Sequence, residues 1–185
     1  MDRRMRILLL GYYGARNLGD DMMLYCLAKW LQGQEADITV VSECPRDTRE
    51  RFNLKAVQNA PLFFEWGWKH YWGEGIAGRL VGHIRRTDAL VVGGGDLIRD
   101  DKGWRTFFYT VEKIIVALMF GKPVYLVNIG ITRCQQNYSS RILKTIIRKC
   151  RCIVARDRGT YDYTMELGDN RLSYYRISRC YYHGI

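Results

Sequence analysis

Short continuous apolar runs alternate along this chain with stretches in which apolar residues return every three or four positions. "RILLL" (residues 6–10) is apolar after its first residue, as expected of a strand covered on both faces. Beyond "GYYGARNLGDD" (residues 11–21), Met23, Leu27 and Leu31 recur at helical spacing with Met22, Cys26 and Trp30 beside them. Asp20 is the expected N-cap of that helix, and Gly33 stands past its end. "DITVV" reads as a second strand and "PRDTRERF" as a short helix, broken by "NAP" at residues 59–61.

The pattern resumes with "ALVV" (residues 89–92), a buried strand, followed by Gly93-Gly94-Gly95 as a tight loop. Trp104, Phe107, Phe108, Val111, Ile114, Ile115 and Leu118 trace a helix closed by Gly121 and Pro123. "VYLVNIG" is a strand, and Ser139 or Ser140 caps a helix carrying Ile142, Leu143, Ile146 and Ile147. "CIVA" is the next strand, and the helix after it stops at Gly168. Between residues 63 and 72, Phe63, Phe64, Trp66, Trp68, Tyr71 and Trp72 crowd together, an irregular aromatic core segment or a partner- or membrane-facing lid. Gly67, Gly73, Gly75 and Gly78 argue against one long helix there.

Strand alternating with helix predicts an α/β fold, a Rossmann-like parallel sheet with helices on both faces. Residues 1–168 form the domain, and residues 169–185 an irregular basic tail. In such a sheet the ligand sits beyond the carboxyl ends of the strands. "GYYGARNLGDD", "GGGDLIRDD", "NIGITRC" and "ARDRGT" all follow strands, so topology places these four loops on one rim.

Composition narrows the class. A chain of 185 residues with 48% apolar content can bury a core of one domain or slightly more. No apolar run approaches the roughly 18 residues of a membrane span, and "ILLL" is too short for a signal-peptide core, so a cytoplasmic location is expected. Cys26, Cys44, Cys134, Cys150, Cys152 and Cys180 show no metal-ligand spacing and read as reduced, mostly buried thiols; no metal is expected. The net charge is +10, and residues 131–185 hold 11 Lys/Arg against 4 Asp/Glu. A basic end attracts nucleic acid, anionic lipid or a phosphorylated substrate, or is a solvated face and tail. No nucleic-acid-binding motif accompanies it, so no nucleic acid is expected.

Gly14-x4-Gly19 has P-loop spacing, but Asp20-Asp21 stands where Lys and Ser or Thr are required, which excludes a bound nucleoside triphosphate. Gly11, Gly14 and Gly19 also miss the dinucleotide spacing. With Asp20 as a cap, Asn17 and the loop amides are free for a sugar hydroxyl or an anion; otherwise the glycines only shape the turn. Gly93, Gly94 and Gly95 similarly bring backbone amides near a ligand or simply close strand onto helix. Asp96, Asp100 and Asp101 are acids placed for a cation, without a full ligand set. Arg156-Asp157 is either an ion pair fixing its loop or a guanidinium fork for a carboxylate or phosphate.

These motifs, "GYYGARNLGDD", "LVVGGGDLIRDD", a strand ending in "NIG" and "IVARDRGTYDYTMELG", resemble in order those of the polysaccharide pyruvyl transferase family. The resemblance spans residues 6–168 and implies one half of a GT-B-type two-domain transferase. It implies transfer of pyruvate from phosphoenolpyruvate to a sugar hydroxyl as a ketal, in cell-wall or exported polysaccharides. That chemistry needs an acid, a base and cations for the donor's carboxylate and phosphate. The expected substrate-binding residues are Gly14, Asn17, Gly19 and Asp20, then Gly93, Gly94, Gly95 and Asp96, then Arg133, Arg156 and Asp157. The general acid and base are unassigned. No cofactor is implied, phosphoenolpyruvate being the donor substrate.

A saccharide or lipid-linked saccharide is the implied acceptor, at the inner face of the membrane if the association is peripheral. A carboxy-terminal domain should follow Gly168. In its place stands "DNRLSYYRISRCYYHGI", which reads as a truncated or out-of-frame end or as a natural basic tail. The expectation is an incomplete chain, inactive alone. Half of a nucleotide-sugar glycosyltransferase and a non-catalytic glycan- or partner-binding fragment are the alternatives.

Overall fold

The computed structural model describes residues 3–62 and 75–168. Within them the chain runs β1 (Arg6–Tyr13), α1 (Leu18–Gly33), β2 (Asp37–Ser42), α2 (Pro45–Phe52), β3 (Lys55–Gln58), α3 (Ile76–Arg86), β4 (Ala89–Gly93) and β5 (Asp96–Ile98). It continues through α4 (Trp104–Met119), β6 (Val124–Ile131), α5 (Asn137–Lys149), β7 (Cys152–Ala155) and α6 (Arg158–Glu166). The sheet order is β3-β2-β1-β4-β6-β7, every pairing parallel, with β5 also paired to β6. This is a doubly wound sheet whose order reverses between β1 and β4, where a crevice opens at the carboxyl ends.

Burial parity shows why apolar runs became central strands. Leu8 and Leu10 of β1 join Leu90 and Val92 of β4 and Val124 and Leu126 of β6 under α3, α4 and α5. Ile7 and Leu9 join Val91 on the opposite face, against Leu24, Leu27 and Leu31 of α1. Helices thus cover both faces, as expected.

In β6 the parity changes. Asn128 lies in the left-handed region (φ 51°), and two β6 residues, Asn128 and Ile129, advance against one on β7. Ile129 and Ile131 therefore return to the face that Val124 and Leu126 occupy. A bulge with one extra residue has this effect, and Asn tolerates the left-handed backbone better than most side chains.

Several sequence expectations need correction. The first helix begins two residues before Asp20, and Asn17 is its N-cap. Gly33 is its last residue, not the one beyond. The α5 helix begins at Asn137 behind Gln136, so neither Ser139 nor Ser140 caps it. The Asp100 carboxylate braces the loop ahead of it, accepting from the backbone N–H groups of Gln135 (2.9 Å) and Gln136 (3.0 Å). The glycine triplet is a turn only at Gly94 and Gly95, both at positive φ, because Gly93 completes β4 and β5 follows at once. Among the described cysteines none is buried, and Cys44 is exposed. The aromatic segment at 63–72 and the tail from residue 169 lie outside the described residues. None of the described helices is long and apolar enough to cross a membrane.

Candidate functional site

All four motif loops stand at the carboxyl ends of parallel strands, as topology required. In the first, Asn17 Oδ1 accepts from Gly19 N at 3.0 Å, so its carbonyl side is committed to holding the helix start. Asp20 and Asp21 fall in the first turn of α1, where the exposed N–H dipoles favour negative charge. Asp21 turns toward α2 and pairs with Arg51 at 2.6 Å. Asp20 turns the other way, into the crevice. Gly14 lies on neither cleft wall described below: with φ 79°, it packs where a Cβ would collide with Ser42 Oγ. Its role in the structure is the turn onto the end of β2.

The second loop is shaped by contact with α1. A Cβ on Gly93 would meet Leu27 Cδ2 at 2.7 Å, and one on Gly94 would meet Met23 Cβ at 3.0 Å. A Cβ on Gly95 would stand 2.9 Å from Asp20 Oδ1. Tyr13, fully buried below, donates its hydroxyl to Gly93 O at 2.6 Å. Burial, the larger cause, and the neighbouring Asp20 carboxyl push that phenol far above its ordinary range. The Asp96 carboxylate pairs with Arg99 at 3.1 Å and accepts from Thr132 Oγ1 at 3.1 Å. Arg99 also engages Asp101. Of the three acids placed for a cation, Asp100 is thus occupied by backbone amides and the other two by Arg99. No metal-holding cluster of His, Cys, Asp or Glu occurs among the described residues.

The third and fourth loops meet through the bulge. Gly130 N donates to Gly95 O at 2.8 Å, joining β6 to the glycine turn. A Cβ on Gly130 would lie 2.8 Å from a terminal nitrogen of Arg156 and 3.2 Å from Asp96 Cα. The Arg156 guanidinium therefore rests on bare backbone, a place only glycine leaves open. Its link to Asp157 is long, 3.4 Å from Nε. The Asp157 carboxylate caps α6 by accepting from Thr160 N at 2.8 Å. Burial pushes Asp157 upward, but the Thr160 hydrogen bonds and the Arg156 charge outweigh it and hold the carboxyl below its ordinary range. Arg133 lies on this rim, already bound to Glu166 at 2.6 Å and stacked over Tyr163.

Two adjoining clefts result. One, of about 410 Å³, is lined by Asp96, Gly130, Thr132, Arg133, Arg156 and Thr160 among others. The second, of about 500 Å³, is lined by Tyr12, Asn17, Asp20, Gly95, Asp96 and Arg99, with Lys102 and Arg105 beyond. Asp96 belongs to both walls. Tyr12, Arg99 and Thr132 were not singled out in the sequence. Thr132 follows Gly130 by two residues and Arg99 follows Asp96 by three, so each was adjacent to a recognised motif. Chemically, the first cleft offers the Arg156 guanidinium beside the Asp157-capped start of α6, with the Asp96, Asp157 and Asp162 carboxyl groups also in its lining. The second offers an aromatic ring, an amide and two carboxyl groups.

Comparison with solved structures supports the fold. A protein of Listeria monocytogenes assigned as a UDP-N-acetylglucosamine 2-epimerase superposes with a TM-score of 0.56 at 13% identity, over 92% of this chain and 44% of its own. MurG of Acinetobacter baumannii gives 0.52 at 12% identity, over 92% and 44%. The chain thus spans less than half the length of either, and both are folds of the GT-B type. No curated protein matches the sequence. The family model for polysaccharide pyruvyl transferase, however, matches residues 17–177, which carry all four of these loops apart from the first residues of the first. By that match over most of its length, this chain belongs to the polysaccharide pyruvyl transferase family.

Proposed function

We propose that this domain forms one wall of a site that moves pyruvate from phosphoenolpyruvate to a sugar hydroxyl as a ketal. The observation that carries the reading is Arg156. Its guanidinium lies on Gly130, at the mouth of a cleft that also takes in Thr160 at the start of α6. A planar, half-exposed guanidinium whose link to Asp157 is long suits a carboxylate or phosphate better than a neutral sugar. Arg133, bound to Glu166, adds to the positive field of the rim rather than offering a second free fork. Across Asp96, the second cleft suits a saccharide or lipid-linked saccharide: Tyr12, 48% exposed, offers a ring face, and Asn17 and the carboxyl groups offer hydroxyl partners. Family membership supports the transferase class; the donor and acceptor are our reading of the clefts.

The test is phosphate release from phosphoenolpyruvate with an oligosaccharide acceptor. It is measured for residues 1–185 and for the same chain joined to a carboxy-terminal half of GT-B type. We expect the joined form to turn over and the shorter one to lack detectable transfer, since a single wall neither encloses the donor nor excludes water. Arg156→Ala should raise the phosphoenolpyruvate KM at least about tenfold by removing a charge-assisted pair. No turnover in either form contradicts the reading. The resemblance in fold to MurG favours a second reading, half of a nucleotide-sugar glycosyltransferase. Consumption of a nucleotide sugar in place of phosphoenolpyruvate would establish that alternative.

A further inference from the structure

Two carboxyl groups on the rim stand in opposite surroundings. Asp20 is only 9% exposed, aims Oδ1 at Gly95, and has no hydrogen-bond or ion-pair partner among the described residues. Asp96 pairs with Arg99 and accepts from the Thr132 hydroxyl. Both line the same cleft of about 500 Å³, and the one residue between their contacts is Gly95, chain neighbour of Asp96 and close contact of Asp20. Arg156 lines the adjoining cleft of about 410 Å³, which shares Asp96, and lies on the opposite side of Gly130's open position from Asp96 Cα.

We propose that Asp20 and Asp96 are the acid–base pair of the transfer, Asp20 entering the cycle protonated and Asp96 ionised. This assignment rests on the function proposed above. Its balance is complete. Asp20 gives its proton to the methylene carbon of phosphoenolpyruvate, whose C=C bond opens to a methyl group and an electron-poor C2. A sugar hydroxyl oxygen bonds to C2 while its proton passes to Asp96. The C2–O bond to phosphate then breaks with its electron pair, and Asp96 returns that proton to the departing phosphate. The second sugar hydroxyl closes the ketal, and its proton restores Asp20. Each carboxyl ends as it began, and no oxidant or metal is consumed. The division of labour follows from the pairings: the buried group without an ion-pair partner donates the proton, and the group paired with Arg99 accepts one.

The start of α1 favours the charged form of Asp20, but the balance of its other surroundings acts the opposite way. Burial pushes its carboxyl above the ordinary range, the neighbouring Asp21 adds to this, and Arg156 opposes it. The other groups facing it are the Tyr13 phenol below and Asp96, Arg99, Lys102 and Arg105 around the cleft. A carboxyl raised in the folded state contributes stability that is present at low pH and lost as pH rises through the raised value. Asp20→Asn should therefore melt higher than the parent at pH 7 and lose that advantage below about pH 4.

The decisive experiment takes whichever form releases phosphate. It measures kcat against pH and phosphoenolpyruvate affinity for Asp20→Asn, Asp20→Glu and Asp96→Asn. We expect kcat to fall at least about 100-fold in each Asn variant, with affinity for phosphoenolpyruvate kept within a few-fold. Asp20→Asn should abolish the alkaline limb of the profile, with partial recovery in Asp20→Glu. The melting comparison shows that the Asn variant is folded. Turnover that survives both Asn substitutions overturns the pair while leaving the function standing. Absence of phosphate release from the parent in both forms overturns the function, and the pair with it.

Discussion

Replacing Gly95 with Ala presses a methyl group against the Asp20 carboxyl. Two effects add. Gly95 has φ 76°, a region that costs an L-residue about 1–2 kcal/mol. The new Cβ would lie 2.9 Å from Asp20 Oδ1, so a largely buried carboxyl must move, a crowding worth about 1 kcal/mol. Against this, Ala restricts the unfolded chain and returns about 0.5 kcal/mol. The net expectation is a loss of about 2 kcal/mol, or a fall in Tm of about 4–8 °C for a domain of this size. Urea unfolding of the single variants and of a double-mutant cycle with Asp20→Ala separates the two effects. The crowding should disappear in the Asp20→Ala background, giving a coupling of about 1 kcal/mol. Gly94→Ala, with φ 80° and Met23 Cβ at 3.0 Å, is the control: it should cost as much without coupling to Asp20. A Gly95→Ala cost under about 0.5 kcal/mol, or one unchanged without Asp20, would refute the close approach on which the cleft depends.

Two further perturbations probe the scaffold. Asn128→Gly should be tolerated or mildly stabilising, whereas Asn128→Val should cost about 1–3 kcal/mol in urea unfolding, because a β-branched side chain is strained at φ 51°; equal stabilities would dispose of the bulge argument. Asp88 receives hydrogen bonds from the Arg6 side chain and backbone, with Arg3 adjacent, and these hold its carboxyl well below the ordinary range. That contribution is present above the unfolded carboxyl's pKa and fades as pH falls through the depressed value. Asp88→Asn should therefore flatten the acid side of a stability–pH curve below about pH 4 while leaving its neutral-to-alkaline shape unchanged.

The pattern of the sequence revealed the long elements because burial on both faces leaves a continuous apolar run. β1, β4 and β6 were legible for that reason. β3 and β5 were not: "KAVQ" is a half-buried edge of four residues, and "DLI" is three residues behind a glycine turn. α3 was missed because Gly78 and Gly82 interrupt a stripe that Ala77, Leu80 and Ile84 nevertheless bury. Asn17 and Asp20 are both good N-cap residues three apart. Leu18, 76% exposed at the first helical position, hid the true start from any reading of periodicity. The four loops of the candidate site could be found from motif order. Their division of roles could not, since it depends on pairings remote in sequence. Arg133 meets Glu166, Asp21 meets Arg51, and Asp20 alone is left facing Gly95.

Phosphoenolpyruvate added to the isotopically labelled chain, followed through its backbone amide resonances, probes the donor side of the rim without requiring turnover. Weak, saturable shifts are expected, centred on Gly130 to Thr132 and Arg156 to Thr160, with a lesser response at Gly95 and Asp96, all abolished in Arg156→Ala. Shifts confined to the opposite end of the sheet, or an identical response from the Arg156→Ala protein, would contradict a donor site on this rim.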